Sequence, residues 1–232
     1  MPKAVQSSAR TTLKDIEDEI RRKWRHATEL THPQTIYLAR NAGLVNLRFF
    51  AVISNKSTLG AYSERIARDP EKFYNKCAVY LLEKVGKYVS QVGYAEEPPD
   101  VVFEARNHDY GALRRYVMKI KENPMHREAN HLSIFDPSLI VSHSKGEEPL
   151  LKYADIASYS VYQCANKSKA NYFIPEPRYL LELSKRFGAD ESGKVLNTGI
   201  KCIHKLSDLQ LDPDIESVLT GLRADPPPPG RA

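Results

Sequence analysis

The spacing of apolar and polar positions predicts helices and strands that alternate along the chain. Helical spacing puts Leu13, Ile16 and Ile20 on one face of a helix over residues 11–27. Asp69 followed by Pro70 marks another helix start, with a capping side chain before proline at the first helical position. Apolar runs bounded by turn residues predict strands. The predicted helices are 11–27, 70–92, one that begins after Asn107 or Asp109 and ends before Pro124, 149–166 and 178–187, and the predicted strands are 44–53, 101–104, 139–141 and 195–204.

This alternation of helices and strands predicts an α/β sandwich. A chain of 232 residues suits one large domain, or one domain with appendages. We predict a single domain over residues 1–210 and a proline-rich tail over residues 211–232. Prolines 226–229 of that tail favour polyproline II or disorder.

Composition narrows the class of protein. Apolar residues make up 41% of the chain, which is enough for a hydrophobic core. No apolar run approaches the roughly 18 residues that a membrane span requires, and the first residues lack the apolar region of a secretory signal, so no membrane is expected. The 3 cysteines are far apart and form no CxxC pair, which predicts neither a zinc site nor disulfides and favours a reducing, cytoplasmic location.

The net charge of +5 is compatible with a nucleic-acid partner without requiring one. Basic residues cluster near the end of the first predicted helix and on the helix that follows residue 109. These clusters would suit a sugar-phosphate backbone, but solvated helix faces have the same composition. Glycine is sparse, and no phosphate-binding loop or dinucleotide fingerprint is present. The clusters contain Arg21, Arg22, Lys23 and Arg25, and Arg114, Arg115, Lys119 and Lys121.

Two acidic residues lie at the ends of predicted core elements. Asp155 is flanked by apolar residues in the helix at 149–166, and Glu104 ends the strand at 101–104. A carboxylate in an apolar setting is costly unless a cation pairs with it, and a divalent metal is one such cation. We therefore expect Glu104 and Asp155 to converge on Mg²⁺ or Mn²⁺, as a metal-dependent phosphodiesterase requires. The alternatives are that Arg106 pairs with Glu104 and that Lys152 pairs with Asp155.

Other candidate residues surround these acids in the sequence. Glu148 lies two turns before Asp155 and is a supplementary ligand candidate, although acids at helix starts are common because of the helix dipole. Lys145, in the loop before that helix, is a candidate phosphate contact or a solvated lysine. Arg114 and Arg115 are further substrate-binding candidates, and His108 is a candidate for assisting chemistry or for a structural cap.

Three segments, in order, carry a family resemblance. They are FYNKCAVYLLEKV, VVFEARNHDYGALRRYV and SLIVSHSKGEEPLLKYADIASYSVYQCAN, within residues 70–204. They resemble a mostly prokaryotic domain-of-unknown-function family, number 3800, whose closing helix reads approximately Leu-Gln-x-Ala-Asp-hydrophobic-x-Ala. Lys152 stands here where glutamine is more usual, and Asp155 matches the aspartate. The resemblance implies a ribonuclease-H-like mixed sheet flanked by helices.

That family typically opens with a strand ending in Asp-Glu-Ser-Gly, and residues 1–60 contain no such strand end. We expect the fold to lack its first strand and the acid on it. The chain is then a truncated product or has a misassigned start, is a degenerate non-catalytic relative, or uses another segment in place of the strand. The Asp-Glu-Ser-Gly run at 190–193 is not that motif, because a helix end precedes it instead of an apolar strand.

The sequence therefore predicts a divalent-metal-dependent nuclease of the ribonuclease-H-like superfamily, truncated or inactive if the opening acid is absent. Glu104 and Asp155 would bind the metal, which would activate water for attack on phosphate. The alternative is a non-catalytic nucleic-acid-binding or protein-interaction domain that kept the scaffold. A third interpretation is an assembly protein that dimerises through its long helices. The sequence leaves the oligomeric state and the choice between DNA and RNA open.

Overall fold

The structure, a computed structural model, describes residues 3–93 and 97–227. These residues form a mixed α/β protein in which helices predominate and the strands are short. Among them, no helix has the length and apolar character needed to cross a bilayer. The helices are α1 (Lys3–Glu19), α2 (His32–Ala42), α3 (Ala61–Arg68), α4 (Pro70–Val92), α5 (Tyr110–Glu122), α6 (Leu151–Ala165), α7 (Arg178–Leu183) and α8 (Pro213–Gly221), and the strands are β1 (Ala51–Ser54), β2 (Val101–Glu104), β3 (Ile140–His143) and β4 (Ile200–Ile203).

Backbone contacts divide the chain into two compact units. We call residues 3–53 and 145–226 unit 1, and residues 54–144 together with residue 227 unit 2. The predicted boundary at residue 210 has no counterpart in this division, because unit 1 continues to Pro226. Helix α8 lies within the stretch predicted as a tail, and its apolar face (Ile215 and Leu219) is buried in the core of unit 1. Residues 228–232 of the predicted tail lie outside the described residues.

Unit 1 is built around α6, which packs against α7 and α2. Its core joins buried side chains from both halves of the unit, including Leu38 of α2, Ile156 of α6 and Leu180 of α7. The buried hydroxyl of Tyr153 donates a hydrogen bond to the carbonyl of Ala9 in α1, at 2.9 Å. Burying these apolar surfaces stabilises the unit and holds α6 in a fixed position relative to α1 and α2.

A small sheet in unit 1 pairs β1 with β4. The chain approaches itself closely beside this pair, because a Cβ atom on Gly199 would lie 2.2 Å from the carbonyl oxygen of Gly188. Any larger residue at Gly199 would force the backbone apart.

Unit 2 packs the long helix α4 against a 3₁₀ segment, Arg127–Ile134. The approach is close, because a Cβ atom on Gly86 would lie 2.2 Å from the carbonyl oxygen of His131. Strands β2 and β3 pair in parallel, with Val101 opposite Ile140 and Glu104 opposite His143. Leu113 and Val117 of α5 fill the core beside this pair.

The sequence predicted the bounds of helices and strands more accurately in unit 2 than in unit 1. Helix α4 and strand β2 have the predicted bounds, and Asp69 and Asp109 cap α4 and α5 by accepting hydrogen bonds from the backbone N–H groups of Lys72 and Ala112. The predicted helix over 11–27 is wrong at both ends, because α1 begins at Lys3 and stops at Glu19. Residue Arg21 has a φ of 51°, which no α-helix accommodates.

The ribonuclease-H-like mixed sheet expected from the sequence stays a prediction. In the described residues, the strands form two separate pairs, β1 with β4 and β2 with β3. The apolar run predicted as a strand over 44–53 forms a regular strand only from Ala51, and it is preceded by a single bridge between Phe49 and Phe187.

Candidate functional site

Asp155 lies on α6 in unit 1, and both of its carboxylate oxygens are engaged. One oxygen, Oδ2, accepts a hydrogen bond from the backbone N–H of Ala27 at 2.7 Å. The other, Oδ1, lies 3.3 Å from the Nζ atom of Lys145. The Asp155 side chain is only 17% exposed, so solvent weakens these contacts less than it would at the surface. The contacts fix the orientation of the carboxylate.

Lys145 is buried, with only 8% of the residue exposed. The interpretation of this residue as a solvated loop lysine is therefore wrong. Its Nζ also lies 2.9 Å from Nδ1 of His26. An ammonium group only donates hydrogen bonds, so Lys145 would be the donor in this contact. The same nitrogen lies 3.9 Å from Oδ1 of Asp155.

His26 is the residue that sequence reasoning missed. It lies more than 100 positions from Lys145 and Asp155, so neither periodicity nor motif spacing connects the three. The feature of the sequence that could have indicated His26 is the basic segment that precedes it. The side chains of that segment are exposed around the buried ring of Trp24, and the segment leads directly into His26 and Ala27. Its basic residues are Arg21, Arg22, Lys23 and Arg25.

The predicted pairing of Lys152 with Asp155 is not the one that forms. Lys152 instead forms an ion pair with Glu17 of α1, and its Nζ lies 5.3 Å from the centroid of the Trp24 ring. Both partners belong to unit 1. The lysine whose Nζ lies close to Asp155 is therefore Lys145 and not Lys152.

Glu148, the supplementary ligand candidate, lies just before α6. Its carboxylate forms an ion pair with Arg10 at 2.9 Å and accepts a hydrogen bond from the backbone N–H of Leu150 at 3.0 Å. This second contact is typical of an acid that stabilises a helix start. The proposal that Glu148 also binds metal stays a prediction.

Glu104 belongs to unit 2, where it ends β2. Its carboxylate forms an ion pair with Arg106 at 3.1 Å, and this hydrogen bond raises the pKa of Arg106. The Arg106 partner considered from the sequence is therefore present. The carbonyl of Glu104 accepts a hydrogen bond from the hydroxyl of Tyr110. The joint role of Glu104 and Asp155, which lie in different units, stays a prediction.

His108 forms part of an aromatic cluster after β2. Its Nε2 lies 3.0 Å from Oδ1 of the buried Asn75, and its ring packs on Tyr74 with 4.4 Å between the ring centroids. Burial raises the pKa of Tyr74 and of Tyr110, which also contacts the ring. These contacts fix His108 in place, as the structural interpretation of this residue requires.

The two arginines predicted to bind substrate lie on α5 of unit 2, and each has a contact within that unit. Arg114 donates a hydrogen bond to the carbonyl of Ile140 in β3 at 3.0 Å. Arg115 lies 3.5 Å from Asp109, the residue that caps the same helix. The Arg114 contact ties α5 to the sheet, although both arginines are exposed. Their role toward a substrate stays a prediction.

The Asp-Glu-Ser-Gly run at 190–193 forms a turn. Asp190 accepts hydrogen bonds from the hydroxyl and the backbone N–H of Ser192 and from the backbone N–H of Lys194, and these bonds lower the pKa of Asp190. Gly193 has a φ of 78°, which this turn requires. The acid therefore has a local structural role.

Comparison of the chain with protein-family models, with curated proteins and with solved structures gives no match.

Proposed function

We propose that the chain is a nuclease of the ribonuclease-H-like kind that uses Mg²⁺ or Mn²⁺. Asp155 is the metal-binding acid of unit 1, and Glu104, in unit 2, is the other acid that the sequence predicts to take part. The observation that carries the proposal is the environment of Asp155. Its Oδ2 is held by a backbone N–H, and its Oδ1 faces a cation. A carboxylate held in this way is pre-organised to bind positive charge.

The residues fit a hard divalent cation in ligand type. Carboxylate oxygens are the ligands that Mg²⁺ and Mn²⁺ prefer, and Asp155 supplies one such group. When bound, the metal would activate water and stabilise the charge that develops on phosphate. A divalent cation competes with the Lys145 ammonium for Oδ1, because both are drawn to the same oxygen. In this proposal Lys145 balances the charge of Asp155 in the absence of metal. Its ammonium would contact the phosphate of the substrate when the metal is bound.

The basic segment before His26 supports a nucleic-acid substrate. Arg21, Arg22, Lys23 and Arg25 are exposed and lead directly to Ala27, whose N–H holds Asp155. Lysine and arginine side chains bind the sugar-phosphate backbone without reading sequence. The segment would therefore bring phosphates to the carboxylate, and binding should weaken as salt concentration rises.

A second candidate function is nucleic-acid binding without hydrolysis. The observation that favours it is that both acids already pair with a base of their own unit, Asp155 with Lys145 and Glu104 with Arg106. In that case the ion pairs are structural and no metal is required. The free thiols Cys77, Cys164 and Cys202 suit either function in the reducing cytoplasm, which is where we propose that the protein acts.

A cleavage assay separates the two functions. Wild type, Asp155→Asn and Glu104→Gln are incubated with labelled single-stranded and duplex oligonucleotides in Mn²⁺, with EDTA as the blank. The nuclease proposal expects manganese-dependent cleavage that falls about 100-fold or more in each variant, because each loses a carboxylate that the proposal assigns to the reaction. Glu182→Gln is the matched control, since Glu182 is a partly exposed acid of unit 1 paired with Arg40 at 2.7 Å.

The control should cleave like wild type. Equal cleavage by all four proteins would remove Asp155 and Glu104 from the reaction. Binding of oligonucleotides without cleavage would establish the second function instead.

A further inference from the structure

Three consecutive apolar side chains project from unit 1 between α6 and α7. Tyr172 is 84% exposed, Phe173 63% and Ile174 67%. Isolated exposed apolar residues are common on protein surfaces, but an adjacent run of this kind marks an interaction site. We call residues 166–174 the aromatic loop.

The backbone of the aromatic loop holds these side chains in a strained position. Tyr172 has a φ of 57° and Phe173 a φ of 62°, values that are outliers for bulky residues. The left-handed conformation costs about 1–2 kcal/mol for each residue with a Cβ atom. Strain of this kind persists where the surrounding structure imposes it, and it is concentrated at functional sites.

Hydrogen bonds within the loop impose this conformation. The N–H of Phe173 donates to the carbonyl of Ser168 at 3.0 Å, and the side-chain amide of Asn171 donates to the carbonyl of Asn166 at 2.8 Å. The side-chain amide of Asn166 in turn donates to the hydroxyl of Ser168 at 3.0 Å. The aromatic rings are therefore presented on a rigid turn, so binding to them costs little conformational entropy.

Charges near the loop restrict the partner. Lys167 is paired with Asp212 at 2.5 Å, and Arg178 is paired with Glu176 at 2.7 Å. Lys169 is exposed and lies three positions before Tyr172. The loop thus combines two aromatic faces with one nearby cation that is not neutralised by an ion pair among the described residues.

We infer that the aromatic loop binds single-stranded nucleic acid. Unpaired bases would stack on Tyr172 and Phe173, and Lys169 would contact a phosphate. Stacking of this kind contributes about 1–3 kcal/mol per base and tolerates any sequence. The inference rests on the proposed function and deepens it, because it makes the substrate single-stranded. In duplexes the base faces are already stacked on one another.

Two other partners fit the loop less well. Binding to an anionic membrane gains about 1 kcal/mol per nearby basic residue and relies on clusters of them, whereas stacking on the two rings needs no such cluster. A stable protein interface buries about 800 Å² on each partner. Aromatic side chains bury about 150–250 Å² each, so three consecutive residues fall short of that area.

The test measures binding in EDTA, so that cleavage does not contribute. Fluorescence anisotropy compares a labelled 15-nucleotide oligothymidine with a duplex of equal length. Wild type should prefer the single strand, and Tyr172→Ala/Phe173→Ala should weaken that binding about tenfold or more, since two stacking contacts are lost. Tyr172→Phe/Phe173→Tyr keeps both rings and should bind like wild type. Tyr162→Ala is the matched control, because Tyr162 is an exposed tyrosine on α6 outside the loop.

Each alternative outcome overturns the inference. Equal binding of the single strand by wild type and the double alanine variant removes the loop from recognition. Loss of binding to phosphatidylserine vesicles, or loss of self-association, in that variant while oligothymidine binding is unchanged assigns the loop to a membrane or to a second copy.

The same variants distinguish this inference from the proposed function. If the double alanine variant cleaves as well as wild type in Mn²⁺, the proposed nuclease function is supported and the role of the aromatic loop is contradicted. If wild type binds single strands without cleaving them and the double alanine variant loses that binding, the role of the loop is supported and the nuclease function is contradicted.

Discussion

Asp155 of unit 1 and Glu104 of unit 2 differ in how they are held, although each is a partly buried acid that pairs with a base. Asp155 is held by the N–H of Ala27, which lies 128 positions away in the sequence, and by the buried ammonium of Lys145 in the loop just before α6. Glu104 pairs with Arg106, two residues further along the chain, whose guanidinium is largely exposed.

The difference shows which ion pair the fold depends on. The Lys145 ammonium is buried, so solvent replaces a lost partner poorly, and we expect the Lys145–Asp155 pair to contribute to the stability of unit 1. An exposed guanidinium is solvated in any case, so the Arg106–Glu104 pair contributes little to stability. The Glu104 carboxylate is therefore the acid that can change partners at lower cost.

The largest expected effect comes from breaking each pair on its basic side. Lys145→Met should destabilise the protein by about 3 kcal/mol, because it leaves the Asp155 carboxylate partly buried without its cation. Arg106→Met should cost less than about 1 kcal/mol. Urea unfolding, followed by circular dichroism, measures both losses. Equal losses of unfolding free energy in the two variants would show that the two ion pairs contribute equally to stability, which contradicts this expectation.

Double-mutant cycles measure the coupling free energy within each of the two ion pairs. The coupling between Lys145→Met and Asp155→Asn should be about 1–3 kcal/mol, since the two groups share one network of low exposure. The coupling between Arg106→Met and Glu104→Gln should be about 0.2–1 kcal/mol. A coupling near zero for the first pair would mean that the contact between Lys145 and Asp155 does not contribute to folding.

Alkaline pH should destabilise both units, since each contains at least one buried or half-buried thiol, and by less than the loss of Lys145 does. Burial raises the pKa of Cys164 to about 12, and that of Cys202 and of Cys77 to about 11, from an ordinary value of 9.0. A raised pKa in the folded state contributes stability below the unfolded value, and this contribution is lost as pH rises through the folded value. The melting temperature should therefore fall between about pH 9 and pH 11.

Calorimetry at pH 8, 9 and 10 measures this fall in melting temperature. The Cys164→Ala variant should show a shallower fall than wild type, since it carries one fewer buried thiol. A slope equal to that of wild type would remove Cys164 from the alkaline response.

The parts of the fold that sequence predicted are those set by local signals. Asp69 and Asp109 cap helices because a short acidic side chain reaches the backbone N–H groups of the first turn, and this interaction is legible within four residues. Strand β2 has its predicted bounds because the apolar run ends at Glu104.

The parts that could not be predicted depend on contacts between distant segments. Trp24 falls at helical spacing after Ile20, yet the chain turns at Arg21 and buries the ring from a loop. His26 meets Lys145 and Asp155 only after α1, α2 and α6 have packed, and no period in the sequence encodes that meeting. For the candidate site, Asp155 and Lys145 were identified from sequence, and the contact between them was not.

The most direct test of the account is a calorimetric titration of the intact chain with Mn²⁺. Wild type should bind the ion and Asp155→Asn should not, because Asp155 supplies the oxygen for which the cation competes. Lys145→Met, if stable enough to purify, should bind Mn²⁺ about tenfold more tightly, since the competing ammonium is gone. Equal heats from wild type and Asp155→Asn would contradict the claim that this carboxylate holds a metal.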